Sequence, residues 1–183
     1  DTRERLDALG SGCLFAEAVA LFDARGETFD PTKLFEDIRT AIDSVHADGT
    51  LKALVKQDLG RFLVRDPELG PALHKLRSGG KKLFLLTNSL WDYTDAVMHH
   101  VLDGVLPEYP SWRNYFDAIV TGASKPGFFT EEQPLHLLGP DGERLGEAQS
   151  LERSRIYEGG NLPEFERLTG IGDDVVLGVE GQL

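Results

Sequence analysis

The sequence has little sulfur and few bases. A single cysteine, Cys13, leaves no internal disulfide to form, and no Cys or His cluster falls at metal-binding spacing. Without a disulfide frame, a reducing, cytoplasmic setting is the expectation. No apolar run reaches the 18 or so residues that a membrane span needs, and no basic–apolar–small leader opens the chain. Neither a membrane association nor secretion is therefore expected. Bases number 19 against 31 acids, a net charge of −12. That balance argues against sequence-independent nucleic-acid binding, which neutralises phosphates with Lys and Arg. It leaves room for a small anion, because salt screens a diffuse field beyond roughly 8–10 Å and a few aimed donors then decide.

What is present suits a globular protein. The 183 residues are 40% hydrophobic, enough for one domain, or one domain with a small subdomain. Residues 12–24 read as an apolar helix buried on several sides. The next helix carries its own punctuation: Asp30 as N-cap, Pro31 at the first position and Gly49 at the far end. Its core stripe is Leu34, Ile38, Ile42 and Val45. A shorter helix is expected over 51–64. In the following segment Asp66 caps, Pro67 starts, Leu69, Leu73 and Leu76 pack inward, and Gly79-Gly80 ends the helix.

Residues 83–86 are apolar without alternation, the pattern of a strand covered on both faces, and are expected to lie centrally in a parallel sheet. Ser89 and Asp92 form the pattern of a capping box for a helix running to about residue 103. "YFDAIVTGA" is the next strand, ending near Thr121. Residues 128–158 are polar, with a Pro-Asp-Gly turn at 140–142, and read as a surface hairpin excursion. Asn161 caps a short helix, and "DVVLGVE" is a last strand. The alternation predicts an α/β fold with a doubly wound core over 66–183 and a helical cap region over 1–65.

Ligands of open α/β sheets bind beyond the carboxyl ends of the strands. Thr87, Asn88 and Ser89 stand at one such end, before a helix whose amino terminus favours an anion. "GASKPGFF" brings Lys125 to the next. Small donors plus one compact cation suit a phosphoryl group. The plainer reading is that Ser89 caps a helix and Lys125 is solvated. A second set, Arg39, Asp43 and His46, shares one helical stripe, rotated from the Ile38/Ile42/Val45 face. It could read the edge of a base, with Phe22 as a stacking partner. The plainer reading there is an exposed ion pair worth about 0.3–0.5 kcal/mol and a surface histidine.

The strings "RTAIDSVHADGTLK" (39–52), "KKLFLLTNSLWDYTDAVM" (81–98), "WRNYFDAIVTGASKPGFF" (112–129), "YEGGN" (157–161) and "GIGDDVVL" (170–177) run through most of the chain in order. Together they resemble the 5′-nucleotidases of the haloacid dehalogenase superfamily, the cytosolic purine nucleotidase branch. The resemblance implies a Rossmann-like haloacid dehalogenase core and Mg²⁺-assisted hydrolysis of nucleoside 5′-monophosphates, IMP- or GMP-like, through a phospho-aspartate. It assigns Thr87 to the phosphate-binding threonine, with Asn88 and Ser89 beside it, and Lys125 to the lysine that steadies nucleophile and phosphate. It sets Arg39, Asp43, His46 and, less closely, Phe22 at the purine. Ala47 stands where the family often keeps a tyrosine. Relatives of this kind often form homo-oligomers.

The family's Asp-x-Asp-x-Thr nucleophile motif is not found, and "VVLGVEGQL" stands where Gly-Asp-His-x-x-Gly-Asp should follow the last strand. Glu180 lies near the place of a metal-binding acid, while Asp173 and Asp174 precede the strand. The expectation is therefore a fragment of a longer nucleotidase, with the nucleophile and metal ligands elsewhere. The alternative is a catalytically incomplete nucleotide-binding or interaction module.

Overall fold

The computed structural model describes residues 2–47 and 49–170, with side chains over 12–45 and 49–170. The chain divides into two compact units, Asp1–Val55 and Lys56–Leu183.

The first unit is helical. α1 (Thr2–Arg25) and α2 (Pro31–Ala47) pack on each other, with Phe15 set edge-on to Phe35 at 5.8 Å. The start of α2 follows from its capping residue: Asp30 Oδ1 accepts from the N–H groups of Thr32 (2.9 Å) and Lys33 (3.3 Å). Two expectations of burial fail here. Over 12–25 no residue of α1 is fully buried, and Leu14 and Leu21 are about half exposed. On α2, Leu34, Ile38 and Ile42 are half-buried, but Val45 is exposed. A helix packed against one neighbour covers one stripe, whatever its overall apolarity. α3 (Thr50–Gln57) runs across the division, and α4 (Leu59–Phe62) follows after a break at Asp58.

The second unit is built on five strands: β1 (Phe84–Leu86), β2 (Ala118–Thr121), β3 (Leu135–Leu138), β4 (Arg144–Glu147) and β5 (Ile156–Gly159). Their order is β1-β2-β5-β3-β4. β1, β2 and β5 run parallel, while β3 is antiparallel to both β5 and β4. The class is α/β, with a mixed rather than wholly parallel sheet.

Strand pleating sorts the core onto two faces. Ile119 of β2 and Ile156 of β5 pack with Leu73, Leu102 and Trp112. These come from α5 (Leu69–Ser78), α6 (Trp91–Leu102) and the short 3₁₀ turn Trp112–Tyr115. Ala118, Val120 and Tyr157 point the other way, to Phe128 of α7 (Gly127–Thr130) and Phe165 of α8 (Leu162–Thr169). β2 is buried along its whole length. Arg77 of α5 ties the first face down: it donates to the Tyr115 carbonyl at 2.9 Å and to Asp117 at 2.8 Å. Asp117 also accepts the Leu83 N–H at 2.9 Å.

Several expectations need correction. Among the described residues β1 pairs with β2 alone, which leaves it at one margin of the described sheet. An apolar run reports cover above and below a strand and says nothing of its lateral neighbours. Asp66 opens a turn, accepting from Glu68 N–H at 2.9 Å, and the helix starts three residues later at Leu69. Leu76 is exposed rather than packed inward. The 140–142 turn does close a hairpin, with Gly142 N–H donating to Gly139 O at 3.0 Å. That hairpin is part of the main sheet, because β3 pairs with β5. β5 itself was hidden in the polar excursion. Asn161 caps α8, accepting from Glu164 N–H at 2.9 Å. The expected strand "DVVLGVE", with Asp173, Asp174 and Glu180, lies outside the described residues.

Candidate functional site

β1 and β2 run in register, Leu86 opposite Val120, so they end together. The ladder continues past both ends. Thr87 N–H donates to Val120 O at 3.0 Å, Ala123 N–H to Thr87 O at 3.0 Å, and Gly122 N–H to Ser89 O at 2.9 Å. The two loops are therefore sewn to each other as they leave the sheet. Gly122 sits at φ +54, and a Cβ there would stand 3.1 Å from Glu158 and 3.3 Å from Leu90. Ser124 holds a left-handed φ of +55 without being glycine, a conformation that costs about 1–2 kcal/mol.

Thr87, Asn88, Ser89 and Lys125 meet in these loops. The Thr87 hydroxyl oxygen accepts from Ser89 N–H at 3.1 Å, which leaves its proton to be donated elsewhere. The Asn88 amide bonds the Lys125 main chain twice, Oδ1 to N–H at 2.6 Å and Nδ2 to C=O at 2.9 Å. The Lys125 ammonium donates to Leu86 O at 3.0 Å. In the parallel ladder Leu83 and Thr87 turn their main-chain groups to β2, so Leu86 turns its carbonyl to the opposite side of β1. Lys125 thus bridges from the second loop across the end of β1. The result is a hydroxyl donor and a half-buried ammonium anchored to one three-residue segment. Such a set can take a small anion and concentrate positive charge on it.

Ser89 does not form the expected capping box. Its own N–H and C=O are spent on Thr87 and Gly122, so the helix starts later: the N-cap is Leu90, with no side-chain bond, and α6 begins at Trp91. Asp92 instead meets the Lys56 ammonium at 2.9 Å. Trp91 is wedged under the Arg113 guanidinium, 4.6 Å from the ring centre, and beside the Gly142 turn, where a Cβ would come within 2.6 Å.

The other singled-out residues belong to the 1–55 unit. Arg39 and Asp43 stand exposed on α2. Phe22 is half-buried on α1 with its ring 5.1 Å from that of Phe29. The side chain of His46 lies outside the described ones.

One residue beside the strand-end loops was not singled out by the pattern. Glu158, at the end of β5, holds Arg144 through bonds of 2.6 and 2.8 Å and lies against Gly122. The available signal was "IYEGG", a brief apolar pair followed by a glycine pair. A separate hollow of about 420 Å³ is lined by Gln133, Asn161, Glu164 and Arg167 among others. Its polar groups serve structure: Asn161 Nδ2 donates to Gln133 O, and Glu164 accepts from Leu135 N–H. Among the described residues no three His, Cys, Asp or Glu converge on a metal position, and no helix is long and apolar enough to cross a membrane.

Comparison with known proteins narrows the reading. The sequence model of the 5′ nucleotidase family matches residues 4–180. A 5′-nucleotidase domain-containing protein of Dictyostelium discoideum is 34% identical over 164 residues, covering 88% of this chain and 28% of that protein. The 5′-nucleotidase domain-containing protein 2 of Rattus norvegicus is 35% identical over 158 residues, 85% of this chain and 28% of its own. Its Homo sapiens counterpart is 36% identical over 143 residues, 77% and 26% respectively. The chain thus spans little more than a quarter of the length of these relatives. A match reaching nearly from end to end, through both strand-end loops, makes this chain a member of the 5′-nucleotidase family.

Proposed function

We propose that this chain supplies the phosphate-gripping edge of an enzyme that hydrolyses nucleoside 5′-monophosphates, IMP- or GMP-like. The observation that carries the reading is the Lys125 ammonium resting on the carbonyl of Leu86, the residue before Thr87, at the joined ends of β1 and β2. In the proposed reaction the Thr87 hydroxyl donates a hydrogen bond to a phosphoryl oxygen. The Lys125 ammonium offsets the charge that grows as the phosphate ester breaks. Stabilisation of that kind acts on turnover, because the charge is largest in the transition state. Arg39, Asp43 and His46 on α2, with Phe22 on α1, would recognise the purine.

The nucleophilic aspartate of this scheme comes from outside the 183 residues. Leu86 turns a carbonyl to the side of β1 away from β2, so a further strand could lie there and end beside Thr87. Mg²⁺ would assist such an aspartate, but the described residues do not converge to hold it. None of the roles above runs through the metal. A cytoplasmic setting fits the exposed free thiol of Cys13.

The test is phosphate release from IMP, GMP and AMP by the full-length protein with Mg²⁺. Release from a purine monophosphate is the expected result. Binding without release would favour the rival, a nucleotide-binding module without chemistry, and neither binding nor release would end the reading.

A further inference from the structure

The Asn88 carboxamide meets the Lys125 main chain as a neighbouring strand would, with its acceptor on the N–H (2.6 Å) and its donor on the C=O (2.9 Å). Reversing the amide would set donor against donor and oxygen against oxygen, so the partners settle its orientation. At the other end of the same lysine, the ammonium rests on Leu86 O at 3.0 Å. Residues 86–88 therefore hold Lys125 at both its root and its tip. The preceding residue, Ser124, is in a left-handed conformation, so the loop has reason to relax once the bracket is cut.

We propose that Asn88 is a positioning residue that acts through Lys125, and that its side chain is not itself a phosphate ligand. This rests on the nucleotidase reading of Thr87 and Lys125. With both ends of the amide committed to the Lys125 backbone, the carboxamide sets where the ammonium can stand. Losing two hydrogen bonds at that root lets the lysine wander, which lowers turnover while substrate capture through other contacts is retained.

The experiment uses the full-length protein, wild type and with Asn88→Ala, Asn88→Asp, Lys125→Met, and Asn88→Ala combined with Lys125→Met. Phosphate release from IMP is followed beside hydrogen exchange at the Lys125 amide. Asn88→Asp conserves volume but faces the Lys125 carbonyl with an oxygen. Both single Asn88 variants are expected to lower kcat about 10- to 100-fold with KM changed less than about threefold. Their Lys125 amide should lose protection by about tenfold or more. In the Lys125→Met background the Asn88 change should cause no further loss, because the two residues act as one unit. Multiplying effects, or unchanged exchange protection, would overturn the proposal. Should wild-type protein release no phosphate, the nucleotidase reading falls, and the exchange data alone then uphold or overturn the bracket.

Discussion

The middle of α2 and the turn after β1 each carry three residues singled out by pattern, and they differ in how those residues are held. On α2 the spacing itself puts Arg39, Asp43 and His46 on one stripe, and Arg39 and Asp43 stand exposed. After β1, Thr87, Asn88 and Ser89 are laced to residues 120–125 by main-chain and side-chain bonds. A helix surface offers side chains in a fixed order but leaves their tips to solvent and to whatever binds. A pair of strand ends can fix the tip as well, because two loops of separate origin brace each other. The first arrangement suits recognition of variable groups, and the second suits chemistry that tolerates little displacement.

The sharpest way to break that contrast is Lys125→Met in the full-length protein. Turnover on IMP should fall about 100-fold or more, as losing a transition-state charge contact does; unchanged kcat would remove the braced loops from the chemistry. Next in size is Asp117→Ala. It leaves the Arg77 guanidinium, whose side chain is only 16% exposed, with the Tyr115 carbonyl but no carboxylate, and frees the Leu83 N–H. We expect a loss of about 2–3 kcal/mol in urea unfolding; a loss below ~0.5 kcal/mol would mean that the Asp117 carboxylate does not tie α5 to the sheet.

On the other side of the contrast, Asp43→Ala should raise the KM for IMP about tenfold with kcat nearly kept, the signature of a lost binding contact. A fall in kcat of the same size would put α2 in the chemistry and erase the distinction. The smallest expected effect is Asp30→Ala. It removes the cap of α2 and should lower stability by about 1 kcal/mol, seen as an earlier transition in thermal unfolding.

Much of this was legible where a residue's chemistry is local. Asp30 and Asn161 cap where they were expected to, and Pro140-Asp141-Gly142 turns the hairpin. The parallel alignment of β1 with β2 was readable because a strand, a helix and a strand admit few topologies. What failed depended on partners distant in sequence. Ser89 fits a capping box in isolation, but Gly122 claims its carbonyl and Thr87 its N–H. β5 offers only Ile156 and Tyr157 as apolar residues, and it becomes a strand through β2 on one side and β3 on the other. The two hydrogen bonds between Asn88 and Lys125 join residues 37 apart, and neither shows in its own neighbourhood what the other will do.

The outermost strand among the described residues has a consequence of its own. β4 is four residues long and exposed throughout; it carries Arg144 and Glu147 and meets β3 through an irregular register between Leu137 and Leu138. A margin so short, charged and crooked is a poor template for a stray chain seeking backbone partners. On this flank the protein is guarded against recruiting its own unfolded copies into aggregates, at crowded concentrations where a straight apolar border would invite them.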